Sequence, residues 1–194
     1  KMQRAGRVFP LPTRHAPPMI LPVMSDTNEN PASTTRPVFI DALNLAYWSS
    51  NPPSLRLPLA LMAHLIERGH QAVLYFDASA KYKLAHESDL YAKLVQYSGF
   101  VIEVPKGTPA DRALLKQANA QGACVLSRDK FRDHRKRYRR LIDDPARRID
   151  GAVVNGRLLI PSMALDIALP VSAVEAWSQL KPLLNPPGPR LTSG

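Results

Sequence analysis

Four aspartates and one asparagine stand where apolar strands should run out into helices, and residues of that type at those places can do chemistry. Asp41 and Asn44 follow the run Pro37-Val38-Phe39-Ile40. Asp111 opens a helical pattern after Val101-Ile102-Glu103-Val104, and Asp129 and Asp133 follow Ala123-Cys124-Val125-Leu126-Ser127. In an open parallel sheet the carboxyl ends of the strands share one edge, and ligands bind there. Carboxylates gathered from separate strands repel one another unless a cation sits among them, and oxygen-only ligation suits Mg²⁺ or Mn²⁺. The pattern implies a metal-dependent phosphodiesterase acting on nucleic acid.

Each acid also has a plainer reading. Asp111 stands three residues after Thr108, with Pro109 between. That is a good helix start, where an acid near the positive end of the dipole contributes ~0.3–1 kcal/mol. Asp129 reads equally as an N-cap, and Asp133 as the i, i+4 partner of Arg137. Asp41 has no capping role on this reading, because the next helical pattern begins only at residue 58. Asp77, at the end of a further apolar run, is either a contributor to the site or a surface turn acid.

These residues need a frame. From Arg36 onward, apolar runs at 38–41, 72–77, 101–104 and 123–127 alternate with helical patterns at 58–68, 88–97 and 109–120. Leu61 and Leu65 lie at i, i+4 in the first of these, and Gly69 stops it. A basic helix is expected from 130 to about 141. A hairpin around Asn155-Gly156 joins 151–154 to 157–160, and a last helix covers 172–180. Alternation with continuous apolar strands predicts an α/β fold of three layers, a central mainly parallel sheet flanked by helices. The domain is expected at 36–181, with proline-rich segments at 1–35 and 182–194 expected to be disordered. Met24 begins a polar stretch that resembles an ordinary protein start, so the residues before it could be upstream sequence.

Charge narrows the partners. The chain of 194 residues carries a net charge of +10, with a pI near 10.0. Such a balance points to a polyanion, RNA or DNA first and an acidic membrane surface second. Ten of the 26 Lys and Arg residues fall between Arg128 and Arg148. Like charges at i, i+3 and i, i+4 cost helix stability, and a phosphate backbone would offset them by counterion release. Arg128, Lys130, Arg132, Arg135, Lys136, Arg139 and Arg140 are the expected RNA contacts, with His134 another candidate for phosphate. Tyr47 and Trp48 border the Asp41 loop and could stack on a base, though a core or lid role for Trp48 is open. Tyr138 is a weaker stacking candidate, and Phe131 falls where a core anchor is expected. Cys124 reads as an inert buried thiol. No Cys/His spacing suggests zinc, and neither a P-loop nor a Gly-x-Ser-x-Gly elbow occurs. No apolar run reaches the ~18 residues a membrane span needs, and a cytoplasmic location is expected.

The motifs also resemble a known family, the NYN-domain, PIN-like ribonucleases, closest to their Regnase-type (Zc3h12a-like) branch. Val38-Phe39-Ile40-Asp41-Ala42-Leu43-Asn44 is similar to the first motif, a hydrophobic strand ending in Asp-x-x-Asn. Gly107-Thr108-Pro109-Ala110-Asp111 is similar to the segment with the central acid, and Ser127-Arg128-Asp129-Lys130-Phe131-Arg132-Asp133 to the Ser-x-Asp-x-[Tyr/Phe]-Arg-Asp motif. The resemblance implies endonucleolytic cleavage of single-stranded or stem-loop RNA, with Mg²⁺ or Mn²⁺ as cofactor. It implies that Asp41, Asp111 and Asp129 hold the metal, that Asp133 is a fourth acid near its water, and that Asn44 orients the first Asp or the substrate phosphate. One departure is that Ala110 precedes Asp111 where the branch often has two adjacent acids, which bears on a second metal. A non-catalytic RNA-binding module and a structure-specific deoxyribonuclease are the alternatives. A homodimer is a further arrangement this reading admits; a membrane partner is not expected.

Overall fold

Five short strands carry the frame: β1 (Val38–Asp41), β2 (Ala72–Phe76), β3 (Val101–Glu103), β4 (Cys124–Leu126) and β5 (Arg148–Ile149). They form one sheet in the order β3-β2-β1-β4-β5, and every neighbouring pair is parallel. The structure, a computed structural model, describes residues 36–185; the expected lead-in and the tail from residue 186 lie outside them. Strands buried on both faces must be apolar on both, and the central β1, β2 and β4 are so along most of their length. Ile40 and Leu126 face one core while Phe39 and Val125 face the other.

Seven helices lie among the described residues: α1 (Ala42–Ala46), α2 (Arg56–Glu67), α3 (Ala80–Lys83), α4 (Ser88–Leu94), α5 (Ala110–Gln121), α6 (Arg135–Ile142) and α7 (Ala173–Leu184). Leu57, Leu61 and Leu65 of α2 share the first core with Leu94 of α4 and Leu180 of α7. Leu114, Leu115 and Ala118 of α5 share the second with Leu141 of α6. The result is the expected three-layer α/β fold. The chain moves outward from β1 to β3 and then crosses back to β4. The strand order therefore reverses between β1 and β4, where a crevice opens at the carboxyl edge of an α/β sheet.

Several elements differ from the expectation. α1 starts directly after β1 and, at five residues, is too short to show a helical period. β5 has two residues inside the basic run, whose charge conceals a strand that buries only Ile149. The expected basic helix is instead a 3₁₀ turn at Arg132–His134 followed by α6, whose backbone is distorted at Tyr138 (φ −118°, ψ 32°). The hairpin is present as β6 (Ala152–Val154) and β7 (Arg157–Ile160), turned by Asn155 and Gly156 with φ of 49° and 72°. It gains a third antiparallel strand, β8 (Leu165–Ala168). α7 runs past the expected stop and through Pro182, because Leu184 still buries in the first core.

Candidate active site

Asp41 ends β1 at the point of strand-order reversal. Its Oδ1 accepts from the Asn44 backbone N–H at 3.3 Å, and its Oδ2 from the Ser127 hydroxyl at 2.8 Å. The first bond makes Asp41 the N-cap of α1, so the expectation that it has no capping role fails. That expectation rested on an unseen helix. Ser127 follows β4 and is 0% exposed, and its Oγ also accepts from the Asp129 N–H at 3.0 Å. One buried hydroxyl thus holds Asp41 and the Asp129 backbone in register across the crevice. Ser127 stood in the quoted motif, but no role was read for it.

Asp129 does not cap a helix. Its Oδ1 accepts from the Phe131 N–H at 2.6 Å, closing a tight turn. Phe131 completes that turn in the left-handed region at φ 47°, ψ 42°, which costs a side-chain-bearing residue on the order of 1 kcal/mol. Burial of its ring in the second core offsets this, as the expected anchor.

Asn44 ties the other wall. Its Oδ1 accepts from Trp48 Nε1 at 2.9 Å and from the Arg128 N–H at 3.1 Å. The Arg128 guanidinium lies 4.0 Å from the Trp48 ring centroid, and its Nε donates to the Gly151 carbonyl at 3.0 Å. Trp48 therefore offers one ring face to Arg128 while packing against the first core, the core role that stood open beside stacking. Gly151 permits this close packing: a Cβ there would stand 2.5 Å from the Leu159 carbonyl oxygen and 3.3 Å from the Trp48 ring.

Electrostatics shows which acids belong together. Burial pushes the Asp41 carboxyl up to about 7, and the charges of Asp111 and Asp129 push the same way against the Ser127 and Asn44 hydrogen bonds. Asp111, half-buried in the first turn of α5, is also raised, by burial and then by Asp129 and Asp77, while His134 opposes. An acid whose main business was the helix dipole would be lowered. Thr108 does not cap α5 either; Pro109 occupies that place, with no side-chain cap. Asp77 lies at the end of β2, its Oδ1 accepting from the Ser79 N–H at 2.6 Å. It is both a turn acid and a member of the cluster. Asp133 stands apart, exposed on the 3₁₀ turn, and among the described residues it makes no pair with Arg137. Among the described residues, no three His, Cys, Asp or Glu side chains converge closely enough to ligate one ion as placed.

The basic residues separate into roles. Tyr138 is 5% exposed, which removes it as a stacking surface. Arg135 and Arg139 share Asp143, with Nε to carboxylate distances of 2.7 and 3.3 Å. Arg147 donates to the carbonyls of Ala118 and Ala123, both at 2.9 Å, and so fastens α5 to the second core. Lys130, Arg132, Lys136 and Arg140 are exposed and make no ion pair among the described residues. On the other flank, Tyr47 and Tyr82 are 41% and 73% exposed, each with a lysine, Lys83 and Lys81, near its ring. This second surface was not anticipated apart from Tyr47. Its only trace in the sequence is the alternation Lys81-Tyr82-Lys83 shortly after Asp77.

Comparison with known proteins follows the same lines. Residues 34–167 match the family described as Zc3h12a-like Ribonuclease NYN domain. No curated protein matches the chain. Two structures of nuclear protein-only RNase P 2 (PRORP2) from Arabidopsis thaliana are similar in fold. One has a TM-score of 0.52 at 17% identity over 72% of this chain, and the other 0.53 at 16% over 71%. In both cases the match spans only 31% of the plant protein. At such identity the likeness is one of fold alone.

Proposed function

Because the chain belongs to the Zc3h12a-like ribonuclease NYN domain family, we propose that it is an endoribonuclease for single-stranded or loop RNA that works with Mg²⁺ or Mn²⁺. One observation carries the metal reading: partly buried Asp41 ends β1 at the β1/β4 crevice, where burial first and then the charges of Asp111 and Asp129 push its carboxyl up to about 7. Such a group of oxygen ligands fits a hard divalent cation, whose charge would offset the repulsion. Asp111 makes no side-chain hydrogen bond among the described residues, and the second oxygen of Asp129 is likewise unengaged. Those oxygens, with Asp41, would hold the ion once the side chains turn towards one another. When bound, the cation neutralises charge on the scissile phosphate and acidifies a water.

The chain's own residues do the positioning. Ser127 is wholly buried and bonded on both sides, so it orients Asp41 and is not a nucleophile. The Asn44 carbonyl oxygen is occupied, which leaves its Nδ2 as the donor that could meet a phosphate oxygen. The lysine-flanked Tyr47 and Tyr82 suit an unstacked strand, because a base stacked on an aromatic ring gains ~1–3 kcal/mol. His134, whose charge acts on Asp111, is suited to steady the acids or the phosphate. Asp133 is assigned a role further out than the resemblance implies.

The test is cleavage of matched single-stranded RNA and DNA with Mg²⁺, with Mn²⁺ and with EDTA. Internal cuts in RNA with either metal and none in EDTA are expected. Binding without cleavage in all three would support the non-catalytic module, and preferential cutting of DNA the deoxyribonuclease.

A further inference from the structure

We propose that a cleft beside β5, at the open edge of the five-stranded sheet, holds one phosphate of the RNA strand in a fixed site; the proposal rests on the ribonuclease reading above. The cleft measures about 470 Å³ and is lined by Lys130, Arg132, Arg135 and Arg148, with Asp143 among them. That volume lies within the usual range for small-ligand sites, ~300–1,000 Å³, and admits a nucleotide. Four cations face one carboxylate, and that carboxylate is already neutralised. Asp143 accepts from both Arg135 and Arg139, and these bonds hold it below the usual carboxylate range.

The cations are of two kinds. Arg148 is fastened by its Nε to the Ile142 carbonyl at 3.1 Å, and Arg135 by its Nε to Asp143 at 2.7 Å. Each guanidinium fork is therefore held in an orientation set before any ligand arrives, which suits the oxygens of a phosphate. Arg148 Nη1 also stands 3.9 Å from the exposed Asp150 carboxylate, a long, solvated pair with which a phosphate would compete. Lys130 and Arg132 have no ion-pair partner among the described residues and can close on the anion. Ile142 and Pro145 complete the wall, an apolar surface for a ribose or base. Lys130 directly follows Asp129, so a strand running past the carboxylates reaches the cleft next. Arg148 is the residue this adds: it comes from a strand concealed in the charge run and was not among the expected contacts. The exposed side chains of Lys136 and Arg140 do not line the cleft.

The experiment measures binding of the full 194-residue chain to a short fluorescent single-stranded RNA in EDTA, by anisotropy at several salt concentrations. Lys130→Gln with Arg132→Gln removes two exposed charges with no partner to disturb. The slope of log affinity against log salt should flatten by about 0.7, the loss of the one phosphate contact the cleft makes, at ~0.7 per contact. Lys136→Gln with Arg140→Gln removes the same charge from α6 outside the cleft and should flatten it by less than half as much. Arg148→Lys, which keeps the charge but loses the fork, should weaken binding about three- to tenfold. Oligonucleotides ending in a 5′-phosphate, a 3′-phosphate or hydroxyls identify the source: equal affinity means an internal phosphate, and a preference means a terminal one. An unchanged slope in the first double variant, or an equal loss in the second, overturns the cleft. If the wild-type chain cuts the same RNA in Mg²⁺ while the cleft variants bind like wild type, only the cleft falls. If wild type neither binds nor cuts, both readings fall.

Discussion

The β1/β4 crevice and the arginine surface of α6 are both clusters of like charge, yet they behave differently. In the crevice, Asp41 is partly buried, and that burial pushes its carboxyl up to about 7. On α6, Arg135 and Arg139 lie 62% and 81% exposed beside a single aspartate. Water and salt screen the second cluster, whereas the first interacts through a medium of lower effective dielectric. Charge density along a sequence is therefore a poor guide to electrostatic consequence. Burial decides where the free energy is stored, and it is stored at the crevice.

That contrast can be broken most directly at Asp41. Asp41→Asn keeps the shape of the side chain and one acceptor oxygen for the Asn44 N–H, turns its amide NH2 towards Ser127 Oγ as a donor, and removes the charge a cation needs. RNA cleavage should fall by at least about a thousandfold, ~4 kcal/mol of transition-state stabilisation, with an unchanged circular-dichroism spectrum. Near wild-type cleavage by the purified variant would refute the site.

The same substitution sharpens the comparison through pH. Below about 4, Asp41 holds its proton both folded and unfolded and contributes nothing to the pH dependence. Between there and about 7 the folded state keeps a proton the unfolded chain has lost, so stability falls as pH rises. Above 7 the full penalty is present, on the order of 4 kcal/mol at ~1.4 kcal/mol per unit. In EDTA, Asp41→Asn should therefore melt above wild type at pH 8, by on the order of 10 °C, and the gap should close towards pH 4. A gap independent of pH would show that the carboxyl is not desolvated. Mg²⁺ should raise the melting temperature of wild type and leave that of Asp41→Asn nearly unmoved.

Ser127→Ala should have an intermediate effect. It strands the Asp129 N–H and one Asp41 oxygen without their buried partner, at a cost of ~1–3 kcal/mol. It also removes a bond that lowers the Asp41 pKa, so the stability loss should deepen from pH 5 to pH 8 in thermal melts without metal. A loss of equal size at both values would mean that Ser127 acts on packing alone. The smallest effect is expected at Asp143→Asn, which frees two exposed guanidinium groups. Its melting temperature should scarcely change, while RNA binding at low salt tightens about two- to threefold and returns to the wild-type value at high salt. Weaker binding would mean that the aspartate's hold on Arg135 matters more than its charge.

Much of this could be read from residues alone, where local rules act without competition. The parallel strands lie on the short apolar runs 38–40, 72–76, 101–102 and 124–126, and their alternation with helical patterns is what a sheet covered on both faces produces. α2 and α5 have a clear period and a glycine just beyond the end. Elements below the length of a period were not legible: α1, whose cap is itself a site residue, and β5, two residues inside a basic run. β8 was missed for the same reason, with four residues between two prolines. The resemblance to the ribonuclease family held, since its motifs lie within the matched span of 34–167.

By itself, the sequence determined that Asp41, Asp111 and Asp129 leave separate strands at one edge, because strand direction and crossover rules follow from local patterning. It also determined an excess of cations suited to a polyanion. Which of those charges interact was decided only by tertiary structure. Ser127 and Asp41 lie 86 residues apart and meet at 2.8 Å, because β1 and β4 pair across the point of strand-order reversal. Trp48 lost a ring face to Arg128 for a related reason: Asn44, Arg128 and Gly151 come from three segments that only the assembled sheet brings together. Hydrogen bonds and desolvation depend on distances of a few ångströms between distant parts of the chain. Composition and spacing contain no term for that.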